Sequence, residues 1–255
     1  MLFAVLKKPI GTHQLAKLLE TIQSTSRTCD ELLGSPSHEL RLPLTAIKGY
    51  TDLLHQGAVG PVNEQQLSFL ETIRNNVDRM SALLSDLADI SQIETGRLRI
   101  EIGQVLLQTQ LDAVLKNLQP MLQSKQQKLE ISRIDQFPPV SADANRLFQV
   151  LTHLLRNASM YTADGGRISA RAYPKDKMLR VDISDTGIGI SPEDQIKLFT
   201  PFFRADEMIV REQHGWGLGL YLSARLIELM GGKLGVESSL ENGSTFWFTL
   251  PISGA

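Results

Sequence analysis

Glycine is concentrated at two places in this chain, Asp185-Thr186-Gly187-Ile188-Gly189 and Gly215-Trp216-Gly217-Leu218-Gly219. The first follows an alternating run that ends at Ser184, and the second leads into a helical run from Leu218. Glycine lets the backbone approach a ligand closely, and a helix N-terminus offers unpaired N–H groups to an anion. Both places therefore suit a polyphosphate. Neither is a dinucleotide fingerprint, because the third glycine of GxGxxG would fall on Pro192 or Leu220. The chain has no GxxxxGKS/T stretch, which excludes a P-loop nucleotidase.

Two polar constellations accompany the glycines. Asn157 lies near the edge of an apolar stripe of Leu147, Val150, Leu151, Leu154, Leu155 and Ala158. Its amide oxygen is a ligand type for magnesium, which takes oxygen donors and is commonly shared between few protein groups and substrate phosphates. Alone, such an asparagine reads as an exposed polar residue. His38-Glu39 falls on the flank of a helical seam through Ser37, Leu40 and Leu44. An imidazole beside a carboxylate can act as a nucleophile while the carboxylate takes its proton. Pro43 removes the backbone hydrogen bond to the Glu39 carbonyl and is expected to bend the helix there. Alone, this pair reads as a solvated histidine next to a charge.

The elements that must position these groups divide into two kinds. Residues 15–56 read as mostly helical, interrupted at Gly34, Ser35 and Pro36. The stripe Leu33, Ser37, Leu40, Leu44, Ile47, Thr51, Leu54 alternates spacings of four and three, a coiled-coil-like seam. A breaker cluster, Gly57-Ala58-Val59-Gly60-Pro61, precedes a second stripe of Leu70, Ile73, Val77, Met80, Leu84 and Leu87 that ends near Gly96. Two such helices on a short loop pack antiparallel. Apolar flanks at Leu53, Leu67, Leu83 and Ile90 make the stripes too wide for a two-helix contact, which predicts a homodimer with a four-helix bundle. The alternative is an intramolecular bundle with a helix from residues 12–33.

After residue 97 the period changes. Strands are expected over 98–102, 129–132, 167–173, 179–184, 233–237 and 244–250, and helices over 106–127, 143–161 and 218–230. Hairpin-paired strands with helices between them predict an α+β two-layer sandwich, one mixed sheet under one helical layer. With 255 residues, 42% of them hydrophobic, the chain can bury a core, and its formal charge of −2 argues against a coat for nucleic acid. Cys29 is the single cysteine, so a disulfide framework and a cysteine-rich metal site are excluded. No apolar run approaches the ~20 residues of a membrane helix, and no signal peptide opens the chain, so a cytoplasmic protein without a transmembrane segment is expected.

Taken together, these motifs resemble those of two-component sensor histidine kinases. Ser35-Pro36-Ser37-His38-Glu39-Leu40-Arg41-Leu42-Pro43-Leu44 resembles their H-box, and Asn157 with Tyr161 and Gly165-Gly166 their N-box. Asp185-x-Gly187-x-Gly189 resembles the G1 box, Phe199-x-x-Phe202-x-Arg204 the F-box and Gly215-x-Gly217-x-Gly219 the G2 box. The resemblance implies a Bergerat-type (GHKL) ATP-binding fold after the helical hairpin. It divides the chain into a helical lead-in over 1–30, a dimerisation and phosphoacceptor domain over 31–96, and a catalytic ATP-binding domain over 97–255.

The resemblance also implies roles. His38 accepts the phosphoryl group of ATP with Glu39 as its general base, and Asn157 binds the magnesium that bridges the phosphates. Asp185 accepts from the adenine amino group, Tyr161, Gly187 and Gly189 adjoin the nucleotide, and Gly215, Gly217 and Gly219 pass close to the phosphates. Residues 200–216 form the lid, with Arg204 reaching the γ-phosphate or the helical domain. Phosphorylated His38 then donates to an aspartate of a response-regulator receiver domain. Input reaches the chain through residues 1–34 and a separate sensory partner, or the chain is the transmitter of a longer protein.

Three positions depart from the family pattern. His153 stands where a second asparagine is usual and Met160 where a lysine or arginine is usual, which predicts slow turnover or a compensating charge such as Arg156 or Arg204. Leu42 stands where threonine or asparagine is common, which predicts weak phosphatase activity. Trp216, at a position usually small, is expected to anchor the lid. The competing reading is a nucleotide-binding pseudokinase that acts as a dimeric docking scaffold.

Overall fold

The computed structural model describes residues 29–132, 137–205 and 215–254, with the side chains of the first helix from Glu39 onward. The expected lead-in over 1–30 lies, apart from Cys29 and Asp30, outside the described residues. The chain divides into two compact units after Leu98. Among the described residues no helix is long and apolar enough to cross a membrane.

The first unit is a helical hairpin of α1 (Cys29–His55) and α2 (Glu64–Glu94). Helix α1 runs through Gly34, Ser35 and Pro36 without a break, which corrects the expected interruption. A proline removes one helical hydrogen bond, and local propensity yields where the flanking turns propagate the helix. Asn63 starts α2 with a reciprocal capping box: its side chain takes the Gln66 N–H while Gln66 returns a bond to the Asn63 N–H, each at 2.8 Å. Lys48–Asp78 at 2.5 Å and Arg74–Asp52 at 3.3 Å cross the hairpin and mark its antiparallel register. Both pairs are half-exposed and add little stability.

Only half of each seam is covered within the hairpin. Leu44 and Thr51 on α1, and Leu70, Val77 and Leu84 on α2, are buried, each seven residues from the next on its helix. The other half, Leu40, Ile47 and Leu54 with Ile73 and Met80, is exposed and also recurs every seven residues. Among the described residues, two helices supply one inner row of the heptad pattern and leave the second row uncovered.

The second unit is an α+β two-layer sandwich. Its five-stranded mixed sheet has the order β2 (Lys128–Ser132), β4 (Arg167–Lys175), β5 (Met178–Asp185), β7 (Ser244–Pro251), β6 (Lys233–Ser238). The β2–β4 pair is parallel and the other pairs are antiparallel. A separate two-stranded ribbon joins β1 (Gly103–Val105) to β3 (Val140–Ala142). Helices α3 (Leu107–Ser124), α4 (Ala144–Tyr161), the short α5 (Pro192–Gln195) and α6 (Gly219–Leu229) complete the unit.

Alternation decides which face of the sheet is covered. Ile168, Ala170 and Ala172 on β4, Leu179, Val181 and Ile183 on β5, and Phe246, Phe248 and Leu250 on β7 are buried on the face that meets α4 and α6. The opposite face carries Arg180, which bonds Asp182 at 2.6 Å and Glu237 at 2.8 Å and lies 4.6 Å from the Trp247 ring centre. The strand expected over 98–102 does not form; pairing begins only at Gly103, where β3 provides a partner. A run of alternating residues without an edge to pair with stays irregular.

Candidate active site

Helix α4 begins at Asp143, whose Oδ1 accepts from the Asn145 N–H at 2.9 Å and the Arg146 N–H at 3.2 Å, a side-chain cap. Its apolar stripe faces the sheet and α6, which leaves Asn157 half-buried at the border of the core, one turn before Tyr161 at the helix end. Burial pushes the Tyr161 hydroxyl pKa up, and the nearby Arg204 guanidinium pulls it back.

Strand β5 delivers Asp185. Its Oδ1 accepts the Gly187 N–H at 2.8 Å and the Ser244 N–H at 3.3 Å. Burial pushes the Asp185 carboxyl above the usual carboxylate range, and these two N–H groups hold back part of that rise. One carboxyl oxygen is therefore held by two backbone N–H groups. The following loop is pressed against the protein's own chain. A Cβ at Gly187 would overlap the Tyr161 carbonyl, and one at Gly189, where φ is +72°, would overlap the Ser239 carbonyl. Only glycine fits either place.

The G2 glycines have three different surroundings. A Cβ at Gly215 would meet nothing within 4 Å, whereas one at Gly217 would come within 2.5 Å of the Phe203 carbonyl oxygen. Gly219 opens α6 against His153: a Cβ there would stand 3.4 Å from the imidazole, whose Nδ1 is 3.2 Å from Ser223 Oγ. The histidine at the departing position thus joins α4 to the first turns of α6. Arg204 Nη1 donates to the Gly215 carbonyl at 3.0 Å, and the Phe202 N–H to that of Gly217 at 3.0 Å. These bonds tie the F-box to the G2 box; residues 206–214 of the expected lid lie outside the described residues.

Two further residues hold the end of α4. Lys125 and Gln127, in the turn between α3 and β2, donate to the carbonyls of Ser159 and Thr162, and Lys125 also to that of Met160. The helix expected over 106–127 ends at Ser124, which places both residues in the turn, and no local signal marks their distant partners. His38 and Glu39 lie on α1, in the first compact unit, with Glu39 exposed.

Residues 142–254 match the histidine kinase-, DNA gyrase B- and HSP90-like ATPase family, and residues 30–96 match the His Kinase A (phospho-acceptor) domain. The chain belongs to the two-component sensor histidine kinases. Its second unit has the GHKL fold of that family, and its helical hairpin coincides with the phospho-acceptor match. It is 38% identical over 237 residues to the sensor protein GacS of Pseudomonas syringae pv. syringae, covering 90% of this chain and 26% of GacS. It is 34% identical over 245 residues to the circadian input-output histidine kinase CikA of Synechococcus elongatus, covering 94% of this chain and 32% of CikA. Among solved structures, full-length ShkA in complex with AMPPNP aligns at a TM-score of 0.73 and 27% identity, over 88% of this chain and 47% of that one. The chain thus spans about a quarter to a third of the length of these two curated relatives.

Proposed function

We propose that this chain is an ATP-dependent protein-histidine kinase transmitter that phosphorylates itself on His38 and passes the phosphoryl group to a response-regulator aspartate. The observation that carries the reading is Asp185, held through one oxygen by the Gly187 and Ser244 N–H groups. In this reading its second oxygen accepts from an adenine amino group. Tyr161, Gly187 and Gly189 flank the base, and Gly215, Gly217 and Gly219 line the phosphate side.

Asn157 is the protein ligand for magnesium. Asn157 is half-buried near the end of α4, and its amide oxygen is the hard donor type that this ion would take. Magnesium supplies neutralisation of phosphate charge when bound. An imidazole nitrogen of His38 forms a bond to the γ-phosphorus as the bond to the β,γ-bridging oxygen breaks; Glu39 takes the imidazole proton and ADP departs. The phosphoryl group then moves to a receiver carboxylate, which restores His38. Arg204 donates to the Gly215 carbonyl, beside the G2 glycines, and its charge can serve the phosphates there.

The phosphoacceptor domain spans 31–96 and the ATP-binding domain 97–255, and the reaction takes place in the cytoplasm. Two hairpins join through the uncovered heptad rows to form a homodimeric four-helix bundle. Transfer is tested by mixing labelled, phosphorylated chain with a panel of purified receiver domains. Rapid movement of label to one of them is expected; label that stays on the chain against the whole panel contradicts the relay.

A further inference from the structure

We propose that Lys125 and Gln127 are positioning residues for the nucleotide, which clamp the last turn of α4 against the Asp185–Gly189 loop; the proposal rests on the nucleotide-binding reading above. The final carbonyls of a helix lack helical partners. Lys125 Nζ donates to the carbonyls of Ser159, Met160 and Thr162 at 2.9, 3.1 and 3.1 Å. Gln127 Nε2 donates to those of Ser159 and Thr162 at 2.9 and 2.8 Å, and its Oε1 accepts from Ser159 Oγ at 2.6 Å. Ser159, Thr162 and Gln127 are buried and Lys125 is half-buried, so the glutamine's bonds form away from water, where a missing partner is costly, and the lysine's at its edge.

The remaining carbonyl of the turn faces the other way. Tyr161 O accepts the Ile188 N–H at 3.4 Å, and it is the atom that a Cβ at Gly187 would overlap. A single turn of chain is therefore gripped by an ammonium and an amide on one side and bears on the nucleotide loop on the other. The ammonium also complements the negative end of the helix dipole. Lys125 is itself held, because its own carbonyl takes the Gly165 N–H at 2.9 Å. Asn157 and Tyr161 belong to the clamped end of α4, and Asp185 and Gly187 to the loop it supports. Releasing the clamp changes the spacing between the metal ligand and the base acceptor without touching either.

The test compares magnesium-ATP binding, autophosphorylation kinetics and thermal melting of the full chain with those of Lys125→Met, Lys125→Arg and Ser159→Ala. Lys125→Met keeps the aliphatic stem and removes the charged donor. Its Kd and KM for ATP should rise roughly tenfold with kcat within about twofold, as expected for loss of charge-assisted bonds that position rather than react. Lys125→Arg should restore most of the affinity. Ser159→Ala, which deletes only the hydroxyl that orients Gln127, should give a smaller rise of about threefold. If Lys125→Met lowers the melting temperature yet binds ATP as tightly as wild type, the residues are merely structural and the proposal is wrong. Failure of the wild-type chain itself to bind ATP would instead overturn the nucleotide-binding reading.

Discussion

Asp185 works in the opposite sense to a carboxylate that stabilises a fold through ion pairing. Its folded-state pKa is raised, so the stability it contributes is fully present below the unfolded-state value and is lost as pH rises through the folded one. Asp185→Asn keeps an oxygen for the Gly187 and Ser244 N–H groups and removes the buried charge. The ligand-free variant should therefore melt at an equal or higher temperature than wild type near neutral pH, with the difference shrinking as pH falls toward about 4. ATP affinity should move the other way and drop at least roughly tenfold, because the amide N–H opposes the adenine amino group. Melting curves across that range, with and without nucleotide, check both signs; a less stable apo variant contradicts the reading of Asp185. Asp185 and its glycines were legible in the sequence because they are contiguous and stand at a strand end. Lys125 and Gln127 were not, since the carbonyls they bind lie 32 to 37 positions away.

Elements with a strong period were legible, and those set by a distant partner were not. Helix α4 carries an uninterrupted apolar stripe behind an aspartate cap, and its start and end follow from those residues. The ribbon of β1 and β3 consists of three-residue strands, too short to show alternation, and exists because the two segments meet. Likewise, nothing local in Gly34-Ser35-Pro36 says that α1 continues; the neighbouring turns decide it. Asp143 does double duty at the start of α4, since its Oδ2 also accepts the Glu101 N–H at 3.0 Å. Asp143→Ala should lower stability by about 1–2 kcal/mol, the usual cost of a lost cap with one further bond. Chemical denaturation measures this directly, and a change below about 0.3 kcal/mol would mean that water replaces the carboxylate at both contacts.

At the scale of the molecule, the alternation of buried and open heptad rows makes a specific claim about assembly. Ile73 and Met80 are exposed on the hairpin, so charges placed there cost little in a monomer and much in a bundle. Ile73→Asp with Met80→Asp should leave the helical content intact and shift the chain from dimer to monomer in light scattering. A wild-type chain that is already monomeric at working concentration would contradict the four-helix bundle. The central claim, however, is chemical. Purified chain is incubated with γ-labelled ATP and magnesium beside His38→Gln and Asn157→Ala. The account predicts acid-labile label on the wild type and none on either variant. Wild type that binds ATP as a dimer yet takes no label, or label that persists in His38→Gln, would contradict it; the first result describes a pseudokinase scaffold and the second a different acceptor.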